Sequence, residues 1–422
     1  MSNNFNEFKE NIDEIIISNK MKETFENELL LGQTNSLKDF YSISIYVNNI
    51  TKECNHMSNR HKELIAESIW STYEKFNVNN FCKDFNDFFK ILNNSLQMIE
   101  EKYLIDNKRS VMGQTKAKTI TIKSSLEDLS TEFDNLFLAV FQHELNHSLS
   151  LSTKAYGLTQ GNERTIFGKE TNTALLKSSW NITDIETEFL AYEILKDNFP
   201  DIENEVKDFE IKLKDTNRYS TNANIRTSLL NYKEFSMYIE AINDLFNDKL
   251  KEIYFIKNKS IETDLKDIFS KNISDKFEEF YKSLNKLSET ATNTNNKDIT
   301  FSEKDLIHTE NQFLNLCLSF QNEGNLDEIK LEKIQQALIR NSIKEKNNKY
   351  SRGKLLASKL DFIIKESRVP EISEIEENIK NLKSRDLRNQ INISIIDVEE
   401  NSNKFYKITK KNSKNEDISI EI

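Results

Sequence analysis

Two of the chain's five histidines stand four residues apart in "VFQHELNHSLS" (Val140–Ser150), with a glutamate directly after the first. Residues four apart on a helix differ by about 40° around its axis, so His143 and His147 share a face, one turn apart. Imidazole nitrogens placed in this way can approach one ion at about 2.0–2.1 Å, the length of a zinc–histidine bond. Glu144 lies on the flank of that face. It is close enough to meet a metal-bound water and poorly aimed to be a ligand itself. The order H-E-x-x-H therefore offers two ligands and a general base. Five His and 69 acids in 422 residues make such a match anywhere in the chain about a one-percent chance event. The alternative is a pair of hydrogen-bonded core histidines beside a solvated glutamate.

The elements around the motif must hold it in place. A helix is expected over about 126–154. Its centre, "LFLAVF" (Leu136–Phe141), is apolar on every side and so buried on every side. A charged trio in such a helix is costly to desolvate unless something compensates, and a bound dication does so. Ser124 and Ser125, with Asp128 in the first turn, can cap the helix, and Gly157 can stop it. Before it, "TKAKTITIKSS" (Thr115–Ser125) alternates as a strand does. Earlier still, "HKELIAESIWSTYEKF" (His61–Phe76) and "FCKDFNDFFKILNNSLQMIEEKYL" (Phe81–Leu104) carry apolar residues at helical spacing. Gly157, Gly161 and Gly168 place a loop after the motif helix. "ITDIETEFLAYEILKDNFP" (Ile182–Pro200) is the next helix, ended by Pro200.

A catalytic zinc usually has three protein ligands and one open position. The metzincin pattern needs a Gly and a third His just after the motif. Ser148, Leu149, Ser150, Leu151, Ser152 and Thr153 supply neither. The other common solution is a glutamate from a later helix. Of the acids in "TDIETEFLAYE", Glu186 forms a capping box with Thr183. Glu186, Glu193 and Asp197 cluster on what reads as a solvent face. Glu188 lies opposite, among Ile185, Ala191, Tyr192 and Leu195, where an acid needs a partner. That partner is either zinc or a Lys or Arg from elsewhere in the chain.

His143, Glu144 and His147 followed by Glu188 resemble the gluzincin branch of zinc metallopeptidases. Glu188, Phe189 and Ala191 are also similar to the E-F-x-A stretch on the glutamate-bearing helix of lethal-factor-type bacterial toxin proteases. The resemblance spans roughly residues 110–200. It implies a zincin-like core with zinc on His143, His147 and Glu188, and Glu144 as the base. It also implies a strand before the motif helix, filled here by Thr115–Lys123, to which extended substrate adds as a further strand. Those toxins carry a tyrosine just before the glutamate helix to stabilise the oxyanion. "KSSWNITD" (Lys177–Asp184) has Trp180 and no Tyr. Tyr156, Tyr192, Arg218, Tyr219 and His308 are the candidates for that role.

The whole chain fits a mainly α fold with a small β component, since seven Gly and two Pro in 422 residues leave room for few tight turns. The expected organisation is a helical region over 1–110, a zincin-like core with a helical extension over 111–287, and a linker over 288–302. A helical region with a small terminal β element then covers 303–422. A net charge of −11 without a basic stripe argues against nucleic acid, and no apolar run is long enough for a membrane span. The three cysteines are far apart and odd in number, which suggests a reducing compartment and no disulfide framework. Cys54, His56 and His61 in "CNHMSNRH" read as a surface cluster, Cys317 as a core residue and His308 as structural. The polar start lacks a Sec-type leader. Cytoplasmic residence or Sec-independent export, as for an effector delivered into a host cell, is expected. The expected activity is zinc-dependent cleavage of a specific protein or peptide. The alternatives are an inactive helical interaction protein with a structural metal, or a zinc amidohydrolase. Deformylase-like chemistry needs a Cys ligand near a Gly-rich loop, and neither Cys54 nor Cys82 has that setting.

Overall fold

The structure, a computed structural model, describes residues 16, 18–31, 36–103, 113–116, 118–124, 131–151, 164–166, 169–171, 182–206, 229–247, 249, 251, 255, 269–290, 292–294, 298–300, 303–340, 352–366, 408–411 and 417–420. Four helices open it: α1 (Asn19–Leu30), α2 (Leu37–Ile50), α3 (Asn59–Val78) and α4 (Phe85–Ser95). Strands β1 (Met98–Tyr103), β2 (Gly113–Lys116) and β3 (Thr119–Ser124) follow, then α5 (Asp134–Leu151), which carries the histidine motif. A short hairpin, β4 (Arg164–Ile166) and β5 (Lys169–Thr171), precedes α6 (Ile182–Leu195), which carries Glu188. Beyond it come α7 (Leu229–Leu245), α8 (Lys271–Thr290), β6 (Thr292–Thr294), β7 (Asp298–Thr300), α9 (Glu303–Asn322), α10 (Glu328–Arg340) and α11 (Arg352–Glu366). The last pair is β8 (Ile408–Lys411) and β9 (Asp417–Ile420). The described residues are mostly helical with one small three-stranded sheet, as the scarcity of turn residues predicts.

The helices begin and end for local reasons. Ser58 caps α3 by accepting from the His61 N–H at 3.3 Å, and Asp84 caps α4 by accepting from the Asp87 N–H at 2.9 Å. Each satisfies a donor the helix cannot. Many helices stop on a residue in the left-handed region, usually glycine. Gly324 does this after α9, with φ +70°. Asn80 after α3 (φ 58°) and Asn247 after α7 (φ 51°) do it elsewhere. At Asn80 the turn closes with a 2.7 Å bond from the Phe81 N–H to the Phe76 carbonyl. Asparagine tolerates this conformation, so a glycine-poor chain still ends its helices cleanly.

The sheet has the order β1-β3-β2, with β1 parallel to β3 and β2 antiparallel to it. Two expectations change here. The stretch over Phe81–Leu104 is not one helix: α4 ends at Ser95 and Met98–Tyr103 is a strand. The alternating run over Thr115–Ser125 is not one strand but two, folded back on each other between Lys116 and Thr119. The parallel pair joins chain on both sides of residue 110, so the sheet spans the boundary expected there.

Helix α5 is the hub. It packs on α3, α4, α6, β2 and β3. Helix α6 in turn packs on α3, α7 and α8, linking the motif to the later helices, where α7 meets α10 and α9 meets α11. Aromatic rings fill the main core, with Phe40, Phe76, Phe88 and Phe141 on the motif side and Phe246, Phe277, Phe280 and Phe313 among the later helices, all buried. The stretch over 288–302, expected as a linker, is the connection between two packed helices. Its β6–β7 hairpin joins α8 to α9, which are also tied by a 3.1 Å Lys286–Asp305 ion pair. At the C-terminal end of the described residues, within the region expected to hold a small β element, β8 and β9 pair antiparallel. Among the described residues no helix is long and apolar enough to cross a membrane.

Candidate metal centre

Every residue of α5 from Phe141 to Ser150 is buried. Seven of these carry polar side chains, which must find partners inside the protein. Their partners lie within α5 and on several of its neighbours. Gln142 accepts from the Ser68 hydroxyl of α3 at 2.6 Å, and its amide donates to Thr72 of the same helix at 3.0 Å. It also donates to Asn146 at 2.9 Å, and Asn146 reaches the Thr187 carbonyl of α6 at 3.4 Å. The Ser148 hydroxyl donates to the Ser95 carbonyl at the end of α4 at 2.6 Å. Glu144 meets Thr115 of β2. The motif helix is thus fastened on four sides, and its rotation is fixed by named bonds rather than by apolar contact alone.

That fixed rotation brings the imidazoles together. The Nε2 atoms of His143 and His147 lie 3.0 Å apart. Two nitrogens held about 2.0–2.1 Å from one tetrahedral ion would be about 3.3 Å apart, so the pair needs only a small opening to share an ion. Glu188 also reaches this site, in a place the sequence does not predict. The His143 Nδ1–H donates to Glu188 Oε2 at 2.5 Å, on the ring nitrogen remote from His147. This carboxylate fixes the tautomer of His143 and leaves its Nε2 lone pair facing His147, as a metal-binding histidine requires. Both partners are close to fully buried, with side-chain exposures of 11% and 9%. As they stand, no three His, Cys, Asp or Glu side chains among the described residues converge to hold an ion. Two imidazole nitrogens converge, and the carboxylate stands behind one of them. Imidazole nitrogen and carboxylate are the donor types that zinc takes, and here the two nitrogens face each other while the carboxylate does not face the same point.

The other acids of α6 separate as follows. Glu193 is not on a solvent face: it is paired with Lys251, and both side chains are nearly buried. Asp197 is exposed and pairs with Lys75 at 3.2 Å. The side chain of Glu186 lies outside the described residues, as do Tyr156, Arg218 and Tyr219. Of the remaining oxyanion candidates, Tyr192 is buried in a small apolar cluster with Phe133, Leu136 and Leu195, and His308 is exposed on α9.

Cys54, His56 and His61 do not form a surface cluster. Only His56 is exposed. The Cys54 thiol donates to the Ile99 carbonyl at 3.2 Å, and the His61 ring packs on Phe137 of α5 with centroids 4.7 Å apart. Burial, then neighbouring Arg60, pushes the His61 pKa down to about 4. Cys317 is fully buried in the main core, as expected.

The chain matches no protein-family model, no curated protein and no solved structure.

Four contributors to this centre carry no signature as single residues. Gln142 and Asn146 stand out only as amides within an apolar helix. Thr115 and Gly113 stand out only as the two inward positions of a short strand just before the motif.

Proposed function

We propose that the protein is a zinc-dependent endopeptidase acting on a specific protein substrate. The observation that carries this reading is the buried pair of facing Nε2 atoms on α5, with an acid from a separate helix against one ring and a second acid beside it on the motif. His143 and His147 would hold the ion, and Glu188 would complete the set. Zinc bound there supplies Lewis acidity toward a scissile carbonyl and makes attack by water feasible near neutral pH. The chain's own groups do the rest. Glu144 accepts the proton of the attacking water and passes it to the leaving amine. As it stands Glu188 holds the His143 ring in its metal-binding tautomer, and it would have to leave Nδ1 to become the third ligand. Strand β2 lies at the sheet edge against α5, where an extended substrate segment can add by backbone pairing. A network of helices far larger than the catalytic pair favours recognition of a folded protein over digestion of peptides in general. The likeness to toxin proteases makes a host-cell protein the first substrate class to try.

The test is a pair of variants compared with the native protein. Glu144→Gln is expected to keep zinc and lose turnover by at least about a hundredfold, the scale of a lost general base. His143→Ala is expected to lose the metal as well. Retained peptidase activity in zinc-loaded Glu144→Gln protein would overturn the assignment.

A further inference from the structure

Strand β2 departs from its neighbour in a way packing alone does not explain. Its register places Gly113 beside Ile122 and Thr115 beside Ile120. On β3 the shared face therefore carries two buried isoleucines. On β2 the same face, which meets α5, carries a bare hydrogen and a hydroxyl. Gln114 and Lys116 point outward and are exposed. Both inward positions are matched to one side chain. The Thr115 hydroxyl lies 2.7 Å from Glu144 Oε2 and 2.8 Å from the Glu144 backbone carbonyl. That carbonyl already belongs to the helix ladder, and a bond to an ionised carboxylate is the stronger of the two. Gly113 is the complement. A Cβ there would stand 2.7 Å from Glu144 Cγ and 2.8 Å from Oε1, closer than real Cβ atoms essentially ever approach, and 3.0 Å from Cδ. Thr115 is 4% exposed and Glu144 is 7% exposed. A hydroxyl and an acid this deep are costly unless each serves the other.

We infer that Gly113 and Thr115 are positioning residues for Glu144. Glycine leaves the space that the carboxylate stem occupies, and threonine fixes which way the carboxylate oxygens point. The base is thereby held by the same strand whose outer edge is offered to substrate, so one rigid piece sets both the register of the peptide and the place of the proton acceptor. This rests on the reading of Glu144 as the base.

The experiment uses full-length zinc-loaded protein and the best-cleaved member of a quenched peptide library. Thr115→Val keeps the shape and removes the donor. It is expected to lower kcat about ten- to a hundredfold, with KM within about twofold and zinc stoichiometry unchanged. Thr115→Ser is expected to restore kcat, and Gly113→Ala to lower it at least as far as Thr115→Val. A second readout needs no turnover. In metal-free protein, the denaturation midpoint of Thr115→Val combined with Glu144→Ala is expected to fall by less than the sum of the single shifts. Native kcat in Thr115→Val, failure of Thr115→Ser to restore it, or additive midpoints would each overturn the inference. Full turnover by Glu144→Gln would instead overturn the function on which it rests.

Discussion

At the scale of single residues the decisive contact is the one between His143 Nδ1 and Glu188 Oε2, at 2.5 Å. A carboxylate in that place can orient a ligand from behind or become a ligand itself, and the two roles differ in magnitude. Loss of an outer partner weakens metal binding by about 10- to 100-fold, whereas loss of a ligand removes a bond to the ion. We expect Glu188→Ala to weaken zinc binding by more than about a hundredfold in chelator competition. A loss of about a hundredfold or less, the range of an outer partner, would remove Glu188 from the ligand set. The sequence makes the histidine pair legible because i,i+4 geometry is local and needs nothing beyond the helix. It makes Glu188 legible as a buried acid because its neighbours on α6 are apolar. It does not reveal which ring nitrogen the acid meets, since that depends on how two helices distant in sequence cross. Glu193 shows the same limit: its position on the helical wheel reads as solvent, but Lys251 covers it.

At the scale of elements, the misread segments share a cause. Strand β1 continues a helical pattern in the sequence, and parallel pairing with β3 decides its form. In the sequence, Ala117 and Lys118 separate β2 from β3, and neither is one of the Gly, Asn, Asp or Pro residues that mark a hairpin. The hairpin was therefore hidden inside one alternating run. The site helix was legible in place and burial because its apolar centre admits no other reading, though it begins later than the pattern suggests, at Asp134. Its docking on α3 has a pH consequence. His61, at the start of α3, is buried against Phe137 with its pKa lowered from 6.5 to about 4. The unfolded chain therefore takes up this proton first as pH falls. The stabilising contribution is complete above about 6.5 and is lost progressively down to about 4. Denaturant midpoints at pH 7.5 and 5 should show a larger fall for the native protein than for His61→Phe, which keeps the ring contact without the titration. Equal falls would exclude His61 as the source.

At the scale of the whole molecule, the charge of −11 and the dominance of helix are legible from composition. The way the helices are joined is not. Helix α6 touches α3 and α5 and also α7 and α8. The Glu188-bearing element is therefore also the junction between the motif half and the later helices, and a substrate gripped by the later helices would act on the helix that carries the acid. All of this chemistry requires that the buried imidazole pair exists to bind an ion and not merely to hydrogen-bond. The most direct measurement is elemental analysis of the purified protein, with zinc added and excess removed. The account predicts one zinc per chain, lost in His143→Ala and in His147→Ala and retained in Glu144→Gln. A native protein that takes up no zinc under these conditions, or one whose zinc survives both histidine replacements, would contradict it.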